Sequence, residues 1–196
     1  AEALLRWQHP VHGMILPGEF IPLAESSGLI NEIGDWVFRE SADWVSRWST
    51  RGAGKFQISV NMSPVQFHAR LNSVQAWRDY LRLAELPGGS IVIEITEGLL
   101  LDAEPNVMEQ LLMLRNIGME VAIDDFGTGY SALSYLKKFH IDYLKIDRSF
   151  TRNLEADPDN VALCEAIIMM AHKLGLKVIG EGVETEGQKN LLLSMG

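Results

Sequence analysis

The sequence runs to 196 residues, 47% of them hydrophobic, with a formal charge of −9 and a pI near 5.0. That length and apolar fraction suffice for one domain with a full core, and the acidic balance excludes a protein that coats nucleic acid non-specifically. The single cysteine, Cys164, excludes an intrachain disulfide; among Val161, Leu163 and Ile167 it reads as a buried, inert thiol.

No apolar run approaches the roughly 20 residues that span a bilayer, so this segment is expected to make no direct membrane contact. There is no signal peptide, and a chain starting at Ala1 leaves anchoring through other segments open.

In chain order, Ala3 to Trp7 reads as a strand and Pro10 to Gly18 as a turn-rich loop. Pro17 to Ala24 opens a helix that Gly28 ends. Ile33, Trp36, Val37, Ala42, Trp44, Val45 and Trp48 recur at helical spacing and predict one amphipathic helix over 30–48, its tryptophans in the core. Phe56 to Asn61 alternates as a strand, Val74 to Ala84 reads as a helix, and Ile91 to Ile95 as the next strand. Asn106 to Asn116 is predicted helical. The apolar strand Met119 to Ile123 then runs into Asp124 and Asp125, with Gly127 and Gly129 behind them. Further expectations are a helix from Ser131 to Phe139, a strand from Asp142 to Asp147, and a helix from Asn160 to Leu174. A strand from Leu176 to Gly180 and a last helix opened by Thr185-Glu186-Gly187-Gln188 follow.

Strand and helix alternate six times with no linker between units, which predicts an α/β fold with a parallel sheet. No G-x-G-x-x-G follows the first strand, against a dinucleotide-binding sheet. A (β/α)8 barrel takes eight strands and typically about 250 residues. The expectation is therefore a single domain over 1–196, a barrel with its first and last elements missing from the chain.

Asp124-Asp125 alone fits either a metal platform or an Asp-rich turn before a helix. The strand ends taken together favour the platform. Glu2 stands at the first strand, Asn61 and Glu94 near the ends of the second and third, Asp124 and Asp125 at the fourth. Lys145 and Asp147 end the fifth, and Glu181 the sixth. In a parallel barrel these groups share the C-terminal rim, where active sites lie. Carboxylates, one amide and one lysine form an oxygen-donor site for a hard divalent cation. His9, His12, His68, His140 and His172 have no partners at ligand spacing, which disfavours zinc. The surplus of carboxylates suggests two ions, the standard device for displacement at phosphorus.

Seven stretches together carry a resemblance that covers nearly the whole chain. They are Glu2-Ala3-Leu4 with Leu5 and Arg6, Pro17 to Glu25 (PGEFIPLAE), Ser59-Val60-Asn61 and Glu94-Ile95-Thr96-Glu97. The others are Asp124 to Ser131 (DDFGTGYS), Leu144 to Arg148 (LKIDR) and Glu181 to Thr185 (EGVET). In these the chain resembles the EAL-domain family, bacterial phosphodiesterases of cyclic di-GMP. The resemblance implies a modified TIM barrel that uses Mg²⁺ or Mn²⁺ to hydrolyse cyclic di-GMP to linear pGpG. It places Glu2, Asn61, Glu94 and Asp124 on one metal, and Asp124, Asp125 and Glu181 on the second, with Asp124 bridging. A water shared by the ions would attack phosphorus in line, with Lys145 holding it or stabilising the phosphorane charge. Glu181 is then a ligand, a base, or both.

The resemblance also puts Arg6 and Asn61 on the substrate. Glu97 would brace the loop that Gly127 and Gly129 let fold back, and Glu184 would stand near the site. Plainer readings exist for some of these residues. Arg6 also fits an ordinary surface arginine, Glu97 a helix-capping partner of Thr96, and Asp147 a structural pair with Arg148 or Lys145. Gly98 and Gly180 depart from the family's usual residues, and its Gln-Pro and Gln-Gly-Tyr segments are not in this sequence. Retention of Glu2, Asp124 and Asp125 favours an enzyme over the alternative, a catalytically silent cyclic di-GMP receptor. The family further implies a homodimer, fusion to sensory or GGDEF domains, and a cytoplasmic setting.

Overall fold

A computed structural model of the chain describes residues 1–50, 56–68, 72–101, 105–129, 136 and 139–196. The chain forms two compact units. Unit 1 is Ala1–Glu94 with Glu104–Glu120, and unit 2 is Ile95–Ala103 with Val121–Gly196.

Unit 1 begins with β1 (Glu2–Ala3) and a hairpin, β2 (Trp7–His9) paired antiparallel with β3 (Gly13–Ile15). The predicted strand over Ala3 to Trp7 is therefore two short strands, and the expected loop contains a hairpin arm. Pro10 and Gly13 turn the chain within three residues, too tightly for a strand period to register. Helix α1 (Pro17–Ser27) closes on Gly28 in a left-handed conformation, and α2 (Ile30–Ser49) follows. Strand β4 (Ile58–Asn61) lies parallel to β1 and to the first four residues of β5 (Ile91–Thr96), in the register Glu2↔Ser59 and Asn61↔Glu94. Helices α3 (Pro64–His68), α4 (Asn72–Leu83) and α6 (Pro105–Ile117) complete this unit.

Its core holds Phe38, Ala42, Val60, Phe67, Trp77, Leu81, Ile91, Ile93 and Leu114, all buried. Phe38 and Trp77 stack at 4.4 Å, and the indole N–H of Trp77 donates to Asp35 at 2.8 Å, so a large ring is buried with its one polar atom satisfied. The α2 tryptophans do not all join this core. Trp36 is 56% and Trp44 42% exposed, along a groove with Leu4, Leu5 and Arg6. Helical periodicity marks that face as apolar, but does not say what lies against it.

Unit 2 carries α5 (Glu97–Leu101) and the parallel strands β6 (Glu120–Phe126, of which Glu120 belongs to unit 1), β7 (Tyr143–Ile146) and β8 (Lys177–Gly180). Between β7 and β8 run α7 (Arg148–Thr151) and α8 (Pro158–Lys173), and α9 (Glu186–Ser194) closes the chain. Asp157 caps α8, accepting from the Asp159 N–H at 3.0 Å, and Thr185 with Gln188 forms a reciprocal capping box on α9. Buried Ile123, Leu144, Ile146, Leu154, Cys164, Ile168 and Ala171 form its core. Burial pushes the Cys164 thiol pKa up, as expected for an inert thiol.

Each unit thus shows parallel strands with helices between them, the α/β class that the alternation predicts. The predicted helix from Ser131 to Phe139 falls largely outside the described residues. Among those described, no helix is long and apolar enough to cross a membrane.

Candidate metal centre

In unit 1, strand pairing brings Glu2, Asn61 and Glu94 together on neighbouring strands. Asn61 Nδ2 donates to Glu2 Oε1 at 2.9 Å, and Asn61 stands opposite Glu94 in register. Glu94 is buried while Glu2 and Asn61 are exposed. A buried carboxylate beside an amide and a second carboxylate is an oxygen-donor set on regular backbone. Arg6 lies beyond the end of β1, and its Nη1 donates to the Leu5 carbonyl at 2.6 Å. The strand expected to carry it stops at Ala3.

Unit 2 builds its set differently. The β6–β7 register shifts between Ile123 and Phe126, and Asp125 takes a left-handed backbone (φ 53). The irregularity lets adjacent aspartates face one site, which a regular strand forbids. Asp124 Oδ1 accepts the Asp125 N–H at 3.0 Å. Carboxylate oxygens of Asp124, Asp125 and Glu181 all lie within 4.8 Å of one another. Lys145, 3% exposed, extends from β7 and places Nζ 3.0 Å from Asp124 Oδ1 and 2.7 Å from Glu181 Oε1.

Electrostatics register this crowding. Burial raises the Asp125 pKa above the ordinary carboxylate value. The charges of Asp124, Asp147 and Glu181 raise it further, as does a hydrogen bond with Asp147. Burial would raise Asp147 as well, but bonds from Ser149 and the Arg148 backbone outweigh it and lower its pKa. Asp147 Oδ1 accepts the Ser149 N–H at 2.9 Å and caps α7.

Glu97, at the first position of α5, is buried, and its Oε2 accepts the Gly127 N–H at 3.2 Å. Gly127 has a φ of 95°, a backbone that glycine adopts without strain. At Gly129 a Cβ would come within 3.6 Å of Glu97 Oε2, so both loop glycines lie against that carboxylate. Glu184 is exposed, its backbone N–H donating to Gln188 Oε1 at 2.7 Å. With Asp125, Asp147, Arg148 and Arg152 it lines a polar cavity of about 760 Å³. Arg152, and Thr151, whose hydroxyl donates to the Glu181 carbonyl, carry no signal in the sequence. Both lie beyond the quoted stretches, and no spacing rule links them to Glu181.

Known proteins resemble this chain along its whole length. The family model described as "EAL domain" matches residues 1–196, the whole chain. The bifunctional diguanylate cyclase/cyclic di-GMP phosphodiesterase MucR of Pseudomonas aeruginosa is 44% identical over 199 residues, covering 100% of this chain and 28% of MucR. The cyclic di-GMP phosphodiesterase NbdA of the same organism is 39% identical over 187 residues, covering 95% of this chain and 24% of NbdA. This chain therefore spans only a minor part of the length of these curated relatives. A solved structure, "PaMucR Phosphodiesterase, c-di-GMP complex", superposes with a TM-score of 0.91 at 42% identity, over 100% of this chain and 78% of that one. The parallel α/β fold is accordingly that of the family's TIM-like barrel. With a family model that runs from Ala1 to Gly196 and relatives matched along its length, this chain belongs to the EAL domain family.

Proposed function

We propose that this chain is a phosphodiesterase that hydrolyses cyclic di-GMP to linear pGpG with divalent cations. The observation that carries the reading is the unit 2 cluster, where Lys145 joins Asp124 to Glu181 and Asp125 completes three carboxylates. The substrate is supported by the relatives. MucR and NbdA are named as cyclic di-GMP phosphodiesterases, and the solved MucR chain is a complex with c-di-GMP.

The residues fit a hard cation. Every donor is an oxygen, and the raised Asp125 pKa reflects burial first and then the nearby negative charges, whose repulsion a divalent ion would relieve. We assign one ion to Asp124, Asp125 and Glu181 and a second to Glu2, Asn61 and Glu94, with Mg²⁺ or Mn²⁺ as the candidates. When bound, the cations supply Lewis acidity at the scissile phosphodiester.

The chain's own groups do the rest. Lys145 Nζ, oriented by two carboxylate acceptors, stabilises charge building on the phosphate oxygens. Glu181 takes the proton of the attacking water at Oε2. The water oxygen bonds to phosphorus, the P–O3′ bond breaks, and the 3′ oxygen leaves with a proton from solvent. Arg6 and Asn61 contact the substrate, an arginine fork being suited to phosphate. Glu97 holds the loop through Gly127, while Asp147 and Glu184 border Asp125 without touching phosphorus.

The bifunctional name of MucR, of which this chain covers 28%, supports a role as one module of a longer signalling protein, for which a cytoplasmic setting and a homodimer are part of the same proposal. Chromatography after incubation with cyclic di-GMP and Mn²⁺ tests the reading. The expected result is pGpG; tight binding with no product assigns the chain to the receptor class instead.

A further inference from the structure

We propose that Thr151 is a positioning residue for Glu181, its hydroxyl fixing the backbone from which the Glu181 carboxylate is presented. The assignment rests on the metal-dependent reading above. Thr151 ends α7, is fully buried, and donates from Oγ1 to the Glu181 carbonyl. The Glu181 N–H donates in turn to the Ile146 carbonyl at 3.1 Å. Both polar groups of the Glu181 backbone are therefore held, one by the end of β7 and the other by α7.

The next residue removes the remaining slack. Gly182 has a φ of 61°, and a Cβ there would lie 2.7 Å from Arg148 Cβ and 3.4 Å from Thr151 Oγ1. Residues 181 and 182 are thus pressed onto the single turn of α7, which Asp147 caps at its other end. Glu181 follows directly after β8, one residue past the last register pair, Ile146↔Gly180. Rotation of its peptide plane would swing the carboxylate away from Lys145 and from the oxygens of Asp124 and Asp125. The hydroxyl of Thr151 opposes that rotation.

A threonine hydroxyl also commonly satisfies the carbonyl three residues back, and Thr151 Oγ1 lies 3.2 Å from the Arg148 carbonyl oxygen. That role alone would change stability and leave metal binding untouched, so the two are separable. Thr151→Val keeps the shape and removes the donor, whereas Thr151→Ser keeps the donor.

The test is calorimetric titration of Mn²⁺ into the 196-residue chain, without substrate, beside Glu181→Gln and with Tm measured for each variant. Groups that orient metal ligands are typically worth about tenfold or more in affinity. The expected result is that Thr151→Val weakens, about tenfold, the binding step that Glu181→Gln removes, while Thr151→Ser stays near wild type. If valine prevents folding, Thr151→Ala carries the same comparison. Unchanged affinity in the donor-less variant, whatever its Tm, overturns the assignment, as does a serine variant as weak as the valine one. A wild-type chain that takes up no Mn²⁺ fails the metal reading itself, a different result from either.

Discussion

The acidic sets of the two units are held in different ways. In unit 1, Glu2, Asn61 and Glu94 occupy ordinary strand positions, and the parallel register Glu2↔Ser59 and Asn61↔Glu94 is enough to bring them together on neighbouring strands. In unit 2 the register breaks, Asp125 adopts a left-handed backbone, and Glu181 leaves β8 under a clamp from α7. The regular set needs only pairing. The irregular one gathers three carboxylates around a buried lysine and depends on local strain and capping. Substitutions that disturb backbone should therefore matter more in unit 2, and those that only change charge should matter in both.

The largest expected effect is on turnover. Asp124→Asn should cost at least about 10³ in kcat, because it removes an anionic metal ligand and the negative charge facing Lys145 together. Initial rates of pGpG formation at saturating Mn²⁺ measure this. Lys145→Met should cost about 10²–10³ in kcat, as expected for loss of one preorganised charge stabiliser. It should also lower the Tm of the metal-free chain, with Mn²⁺ restoring part of the loss, since a divalent ion replaces the missing cation. A Tm that drops equally with and without Mn²⁺ would mean that Lys145 serves packing alone.

Next comes pH. The raised pKa of Asp125 means its proton must leave before the oxygen can bind a cation. Mn²⁺ affinity should fall as the medium is acidified through that range, by up to about tenfold per pH unit for one proton released. The sign for stability is opposite. A carboxyl with a raised folded pKa contributes stability below its ordinary range and loses it as pH rises through the folded value. The metal-free chain should thus lose this contribution toward neutral pH, and Mn²⁺ should cancel the loss. Melting curves across pH with and without Mn²⁺ check both signs.

Smaller effects sharpen the contrast. Glu97→Ala leaves the Gly127 N–H without its buried acceptor, a loss of about 1–3 kcal/mol, while Glu97→Gln should restore most of it, read by urea unfolding. Asp125→Gly should stabilise the metal-free chain by about 1 kcal/mol, by relieving both left-handed strain and like-charge repulsion. It should also remove Mn²⁺ binding at that set. Glu2→Gln, which keeps an oxygen for Asn61 Nδ2, should leave metal-free stability nearly unchanged.

The same contrast explains what the sequence made legible. Alternating apolar periods predict the strand and helix order, and the strands by themselves pick out Glu2, Asn61 and Glu94 in unit 1 and Asp124, Lys145 and Glu181 in unit 2. The hairpin of Trp7–His9 with Gly13–Ile15 escapes that reading because three-residue strands carry no legible period, and short α3 and α5 escape for the same reason. Burial of Lys145 between two carboxylates is not legible either, because parity gives a face and not a distance. The apolar pattern simply ends a strand at Asp125, and the turn of that residue into the site comes from a bulge visible only in the pairing with β7. Helical spacing puts Trp36 and Trp44 in the core, but amphipathicity specifies an apolar face without specifying its cover.

The most direct test of the central claim is hydrolysis of cyclic di-GMP in ¹⁸O-labelled water with Mn²⁺, followed by mass analysis of the product. Metal-assisted attack of water on phosphorus predicts pGpG carrying one ¹⁸O on its new 5′-phosphate, none formed when EDTA replaces the metal, and formation slowed by at least about 10³ when asparagine replaces Asp124. Absence of pGpG, formation of unlabelled pGpG, or equal yield in EDTA would contradict it.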